Sequence, residues 1–302
     1  MRSPSTRGNW PAGWIERVAA GPLDSCLQAW RDASPQRAAV WPFLSVAERI
    51  RFGALAALEQ QWLDAVRTIR EPQVAAAKLA WWREEMDLAA RGGARHPLTQ
   101  SLFADARARA LPPSCWTAAI GAALARLDAP PPADFAAQLA QAQPLHDALA
   151  HIDTALWFGA NAGTARARRV AAVAELVAAL GALPAEVEHG RSPLPMNLLA
   201  RHGLTVAALA GDGPARRAAV RDQASELRHA LEEAATLPGP LSLFRSVQMR
   251  HDLETLRRAE HADNPLQALR WPGGGVRNLL HTWRAARAWR AGKADGNDNA
   301  QH

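Results

Sequence analysis

The chain has 302 residues, a formal charge of +6 and a sequence pI of about 10.6, with 48% hydrophobic and 21% charged residues. That apolar share suffices for a large buried core, and two distant cysteines, Cys26 and Cys115, exclude a disulfide framework and a cysteine zinc site. The basic surplus is almost all arginine, with only Lys78 and Lys293 as lysines, so the high pI by itself identifies no polyanionic partner.

In chain order, residues 1–20 hold Arg2 and Arg7 but no continuous apolar stretch, which reads as a flexible N-terminus without a secretory signal. Ser45-Val-Ala-Glu48 has the spacing of a capping box. The helix it starts, reaching Ile69, carries Ile50, Leu55, Leu58 and Trp62 on one apolar stripe. Pro72 suits the first turn of a second helix, which runs through Lys78-Leu-Ala-Trp-Trp-Arg-Glu-Glu85 to Leu88 and stops at Gly92-Gly93. Adjacent residues point about 100° apart on such a helix, so at most one of Trp81 and Trp82 faces a cavity. Prolines then punctuate helices predicted over Leu98–Ala108, Ser114–Leu127 and Asp134–Phe158. Cys115 lacks any nucleophile context and reads as a small core residue. His146, Asp147, His151 and Asp153 share the third of these helices; without a further ligand they read as partly exposed polar residues rather than a metal site.

Further helices are predicted over Ala165–Leu180, Met196–Arg201, Arg217–Ala235, Leu241–Glu260 and Val276–Arg290, with Gly213-Pro214 as a loop. Pro272-Gly-Gly-Gly275 lacks the lysine of a phosphate loop and reads as a connector. The last helix interleaves Arg277, Arg284, Arg287 and Arg290 with Leu279, Leu280, Trp283 and Trp289. This reads first as a packed terminal helix with a solvated arginine face and, as the alternative, as an interfacial helix in peripheral contact with a membrane surface. Residues 292–302 are polar and expected to be disordered. No segment alternates with period two and no solenoid repeat is visible, so residues 21–291 form one all-α, single-domain helical bundle. No helix-turn-helix, zinc finger or RNP signature is present, and nucleic acid is not an expected partner. The best apolar run, Val170 to Leu183, is broken by Glu175 and too short to span a bilayer. The expected location is cytoplasmic, with contact at the inner membrane face.

Two stretches resemble a known family. One runs from Ala54-Leu-Ala-Ala-Leu-Glu-Gln-Gln through Lys78-Leu-Ala-Trp-Trp-Arg-Glu-Glu85 to Arg95-His-Pro-Leu98. The other joins Leu180-Gly-Ala-Leu-Pro184 to Gly190-Arg-Ser-Pro-Leu-Pro-Met-Asn-Leu-Leu-Ala-Arg-His-Gly203. In type, order and separation they are similar to the squalene/phytoene synthase family, and especially to a divergent branch that includes mitochondrial complex I assembly factors. The resemblance implies an isoprenoid synthase fold. In active members it implies head-to-head joining of two prenyl diphosphates, with magnesium (Mg2+) held by two Asp-x-x-x-Asp motifs on facing helices. An i, i+4 pair puts both carboxylates on one helix face.

Carried over residue by residue, the first motif matches Gln60…Asp64, with Glu59 beside it and Ala56 and Ala57 where an arginine is expected. The second places Ala182 and Glu186 where two aspartates are expected and Gly181 where an arginine is expected. Pro193 stands in place of a tyrosine, and the chain contains no Tyr. The resemblance thus leaves Asp64 and Glu186 as metal ligands, facing each other across one cavity, and Arg191 as a substrate-binding residue for a diphosphate. A magnesium cluster usually takes more oxygens than these two side chains offer. The reading is a prenyltransferase lineage that binds prenyl diphosphate or a related lipid with little or no condensation; the alternative is a non-catalytic assembly or scaffold protein with a protein partner.

Overall fold

The computed structural model of the chain describes residues 21–270 and 276–298. Every regular element among them is helical. Two helices that the sequence reading left unassigned come first, α1 (Pro22–Asp32) and α2 (Pro35–Val40), each with proline in its first turn. A 3-10 turn over Trp41–Phe43 leads into α3 (Val46–Arg67). The predicted capping box forms there: Glu48 N–H donates to Ser45 Oγ at 3.3 Å, and Ser45 N–H donates to Glu48 Oε2 at 3.0 Å. Next come α4 (Pro72–Ala90), α5 (Pro97–Phe103) and α6 (Ala106–Ala110). The continuous helix expected over Leu98–Ala108 is corrected to these last two. Asp105 between them leaves helical geometry and accepts from Arg107 N–H at 2.8 Å, and such an N-cap begins a new helix.

The chain continues through α7 (Pro113–Arg126), α8 (Phe135–Phe158), α9 (Ala165–Gly181), α10 (Leu183–Glu188) and α11 (Met196–Arg201). It ends with α12 (Pro214–Thr236), α13 (Leu243–His261), α14 (Pro265–Leu269) and α15 (Val276–Asp298). Pro214, expected in a loop, instead opens α12, where its missing N–H would have had no intrahelical partner anyway. α15 continues past Arg290 into the stretch expected as a tail; each of the two glycines there, Gly292 and Gly296, weakens a helix by only about 1 kcal/mol. The flexible segment expected over residues 1–20 lies outside the described residues, as does the Gly273–Gly275 connector.

α8 organises the core. Leu139, Ala142 and Ala150 on one face join α9, α12 and the end of α13 in one apolar cluster. Leu145, Leu149, Ile152 and Leu156 on another face join α1, α3, α4, α5 and α7 in a second. A third cluster ties α15 to the bundle through Val40, Phe52, Trp157, Val247 and Ala285, with Trp157 stacked on Phe52 and edge-on to Phe244 and Trp289. The loops before α9 and before α13 touch at glycines: a Cβ on Gly239 (φ +113°) would lie 2.5 Å from the Gly163 carbonyl oxygen. Only glycine adopts that backbone beside so close a neighbour. No described helix is long and apolar enough to cross a membrane.

Candidate functional site

α1, α2, α3, α8 and α13 enclose a cleft of about 140 Å³. Trp30, Val40, Leu63, Phe244 and Val247 form its apolar wall. Arg245 enters from the first turn of α13, whose cap Ser242 accepts the Arg245 N–H at 3.4 Å. Its Nε donates to Asp153 Oδ2 of α8 at 2.8 Å and its Nη2 to Glu59 Oε2 of α3 at 3.1 Å. Burial disfavours the Arg245 charge, but Glu59 and Asp153 outweigh it and hold the guanidinium above its usual pKa. Burial pushes the Asp153 carboxyl up, with Arg245 opposing. On the opposite wall Arg37 donates to Gln60 Oε1 at 2.6 Å and to the Trp30 carbonyl at 3.1 Å, with its guanidinium 5.2 Å from the Trp30 ring. Burial lowers its pKa, and Glu59 and Asp64 oppose that shift. Gln60 passes the contact on, donating to Asp64.

The three residues singled out in the sequence lie apart from this cleft. Asp64 stands behind Gln60 and does not line it, and neither Glu186 nor Arg191 does. Glu186 Oε2 accepts from Arg191 Nε at 2.7 Å, and Glu186 Oε1 lies 3.8 Å from an Arg67 nitrogen. Arg191 also donates to the Arg67 carbonyl at the end of α3. Asp64 and Glu186 thus meet different partners near the end of α3. The break at Ala182 starts α10 at a level where Glu186 meets Arg67, while Asp64, one turn earlier, turns toward Gln60 and the Arg37 charge.

These residues do not fit magnesium. The metal demands several oxygen ligands in near-octahedral order. Here both Glu186 oxygens meet guanidinium nitrogens, Asp64 is bonded by an amide, and Ala182 has no donor. Among the described residues no three His, Cys, Asp or Glu side chains converge on a point where they could hold a metal ion.

The polar group on α8 also differs from its sequence reading. His146 and Asp153, expected to be partly exposed, are buried, because charged residues from other helices reach them. His146 and Arg126 both bind Glu175 of α9, the latter at 2.7 Å. Burial works against the Glu175 charge, but His146 and Arg126 hold its carboxyl well below the usual range. Asp147 pairs at 3.7 Å with Arg168, and His151 is exposed. Trp82 is buried and Trp81 exposed, as their angular separation predicts, and Cys115 is partly buried against the core. Sequence reasoning missed Arg37, Arg67 and Arg245. The one signal for Arg245 was a lone charge inside the apolar run Leu241–Val247.

A family model described as squalene/phytoene synthase matches residues 30–285. A crystal structure of a dehydrosqualene synthase in complex with ligand superposes with a TM-score of 0.71 at 12% identity, over 89% of this chain and 97% of that one. Squalene synthase HpnC from Alicyclobacillus acidocaldarius gives a TM-score of 0.57 at 15% identity, over 92% and 95% of the two chains. No curated protein sequence matches the chain.

Proposed function

The chain belongs to the squalene/phytoene synthase family, and from that premise we propose a member that holds an isoprenoid or related lipid in its central cleft without condensing it. One observation carries the second half of this reading: guanidinium groups of Arg67 and Arg191 engage the Glu186 carboxylate at the level where the family resemblance places a metal. A fixed internal cation neutralises Glu186 without leaving an open coordination position, so it offers no Lewis acid for a departing diphosphate. Losing a single charge-stabilising donor lowers enzymatic rates roughly 10²–10³-fold, and several are absent here.

Purified protein given farnesyl diphosphate, Mg2+ and a reductant is therefore expected to form head-to-head product only at the background rate. Isoprenoid binding is expected to be equal with and without Mg2+. Robust product formation that Glu186→Ala abolishes would overturn the reading.

The same reading gives α15 a lipid surface to meet. Leu279, Leu280 and Trp283 are 54%, 41% and 43% exposed, and Arg284 and Arg287 are exposed beside them. Thr282, Ala285 and Ala286 face the bundle instead. No acidic residue interrupts the sequence from Val276 to Lys293. Apolar side chains flanked by arginines suit an anionic lipid surface, which would hold the protein at the inner membrane face of the cytoplasm. The chain is expected to sediment with phosphatidylglycerol vesicles but not phosphatidylcholine vesicles, and Trp283→Glu is expected to abolish the effect. Sedimentation with neither would point to a protein partner for this face, in line with a scaffold role.

A further inference from the structure

We infer that the cleft selects a ligand whose head is an uncharged hydroxyl or carbonyl rather than a diphosphate; this rests on the reading that the cleft holds an isoprenoid. Two guanidiniums reach the cleft and both are already committed to groups of the chain. Arg245 is shared between Asp153 and Glu59, and Arg37 is bonded to Gln60 and to the Trp30 carbonyl. Arg191 and Arg67, at the second motif, are committed to Glu186 and do not line the cleft. A diphosphate entering here would meet Glu59 and Asp153 before any free cation. It would have to break a buried ion pair to gain one, leaving a carboxylate unpaired out of water.

Neutral hydrogen-bonding groups, by contrast, are present where a head would sit. Gln60, Gln248 and Ser242 line the same cleft as Trp30 and Phe244. Gln60 spends one amide N–H on Asp64 and Gln248 one on Asp252, and each amide carries a second N–H that can meet a ligand oxygen without breaking those bonds. Size points the same way. A cavity of about 140 Å³ is close to the engineered apolar cavity of roughly 150 Å³ that holds one benzene. It takes a small polar head and the first isoprene unit, with the rest of the chain leaving along the open side.

The test is calorimetric titration of the full chain with farnesol and with farnesyl diphosphate, each without Mg2+. Farnesol is expected to bind at least about tenfold more tightly, a difference of about 1.4 kcal/mol. Ala56→Leu, which fills the cleft from a half-buried position, is expected to abolish farnesol binding while the circular dichroism spectrum stays unchanged. Should that variant fail to fold, Leu63→Trp on the same wall serves instead. Diphosphate binding as tight as that of farnesol or tighter, and lost in the filled variant, overturns the inference and leaves the isoprenoid reading standing. Binding of neither compound overturns both.

Discussion

Replacing Arg245 by methionine lowers stability by about 3–5 kcal/mol, the range for removing one partner of a buried ion pair. Arg245, Glu59 and Asp153 are 11%, 18% and 7% exposed at the side chain, so solvent screens the triad little. Removing the guanidinium leaves Asp153 without its counter-charge and Glu59 with only the Arg37 charge nearby. Asp153, already pushed up by burial, then loses the neighbour that opposed the shift and becomes protonated in the folded state. For a chain of this size the melting temperature should fall by roughly 10 °C, at about 2–4 °C per kcal/mol. Adding Asp153→Asn to the variant should recover part of the loss, because the residues share one network and their effects do not add. A loss below about 1 kcal/mol would mean that the triad behaves as a surface pair, and the argument for a charge-compensated cleft would go with it.

Asp252→Asn is expected to stabilise the protein in alkaline solution by several kcal/mol and to leave it nearly unchanged near pH 4. Asp252 is buried on α13, accepts from Gln248 Nε2 at 2.7 Å through one oxygen, and has no partner for the other. Burial pushes its carboxyl up to about 8, against the Gln248 hydrogen bond. Between the unfolded value near 4 and the folded value, the unfolded chain has released the proton and the folded chain has kept it. Stability therefore falls as pH rises through that window, by up to about 1.4 kcal/mol per unit, and levels off above pH 8.

His251, next to it, acts in the opposite direction. Burial, then the Arg258 charge, pushes its pKa down to about 4, so its stabilisation is lost as pH falls from about 6.5 toward 4. Urea midpoints of the native chain and of Asp252→Asn at pH 5, 7 and 9 separate the two. The alkaline slope should flatten in the variant and the acid slope should remain. Parallel profiles across the whole range would show that Asp252 does not carry the buried proton.

The helices were legible in the sequence because their signals are local. Ser45 and Glu48 cap α3 through contacts three residues apart, and Pro72 and Pro113 sit in first turns where proline is suited to begin a helix. The order of two motifs along the chain was likewise enough to identify the family. The site was not legible in the same way. Asp64 and Glu186 could be aligned by spacing, but spacing says nothing about which side chain stands across from each. The fold alone decides that Arg67 reaches Glu186, that Arg245 lies between Asp153 and Glu59, and that Glu175 draws His146 into the core. Those pairs lie 119, 186, 92 and 29 residues apart. A buried charge is stable only beside its counter-charge, so whether a carboxylate is free to hold a metal depends on helices brought together by the packing around α8, which no local pattern encodes.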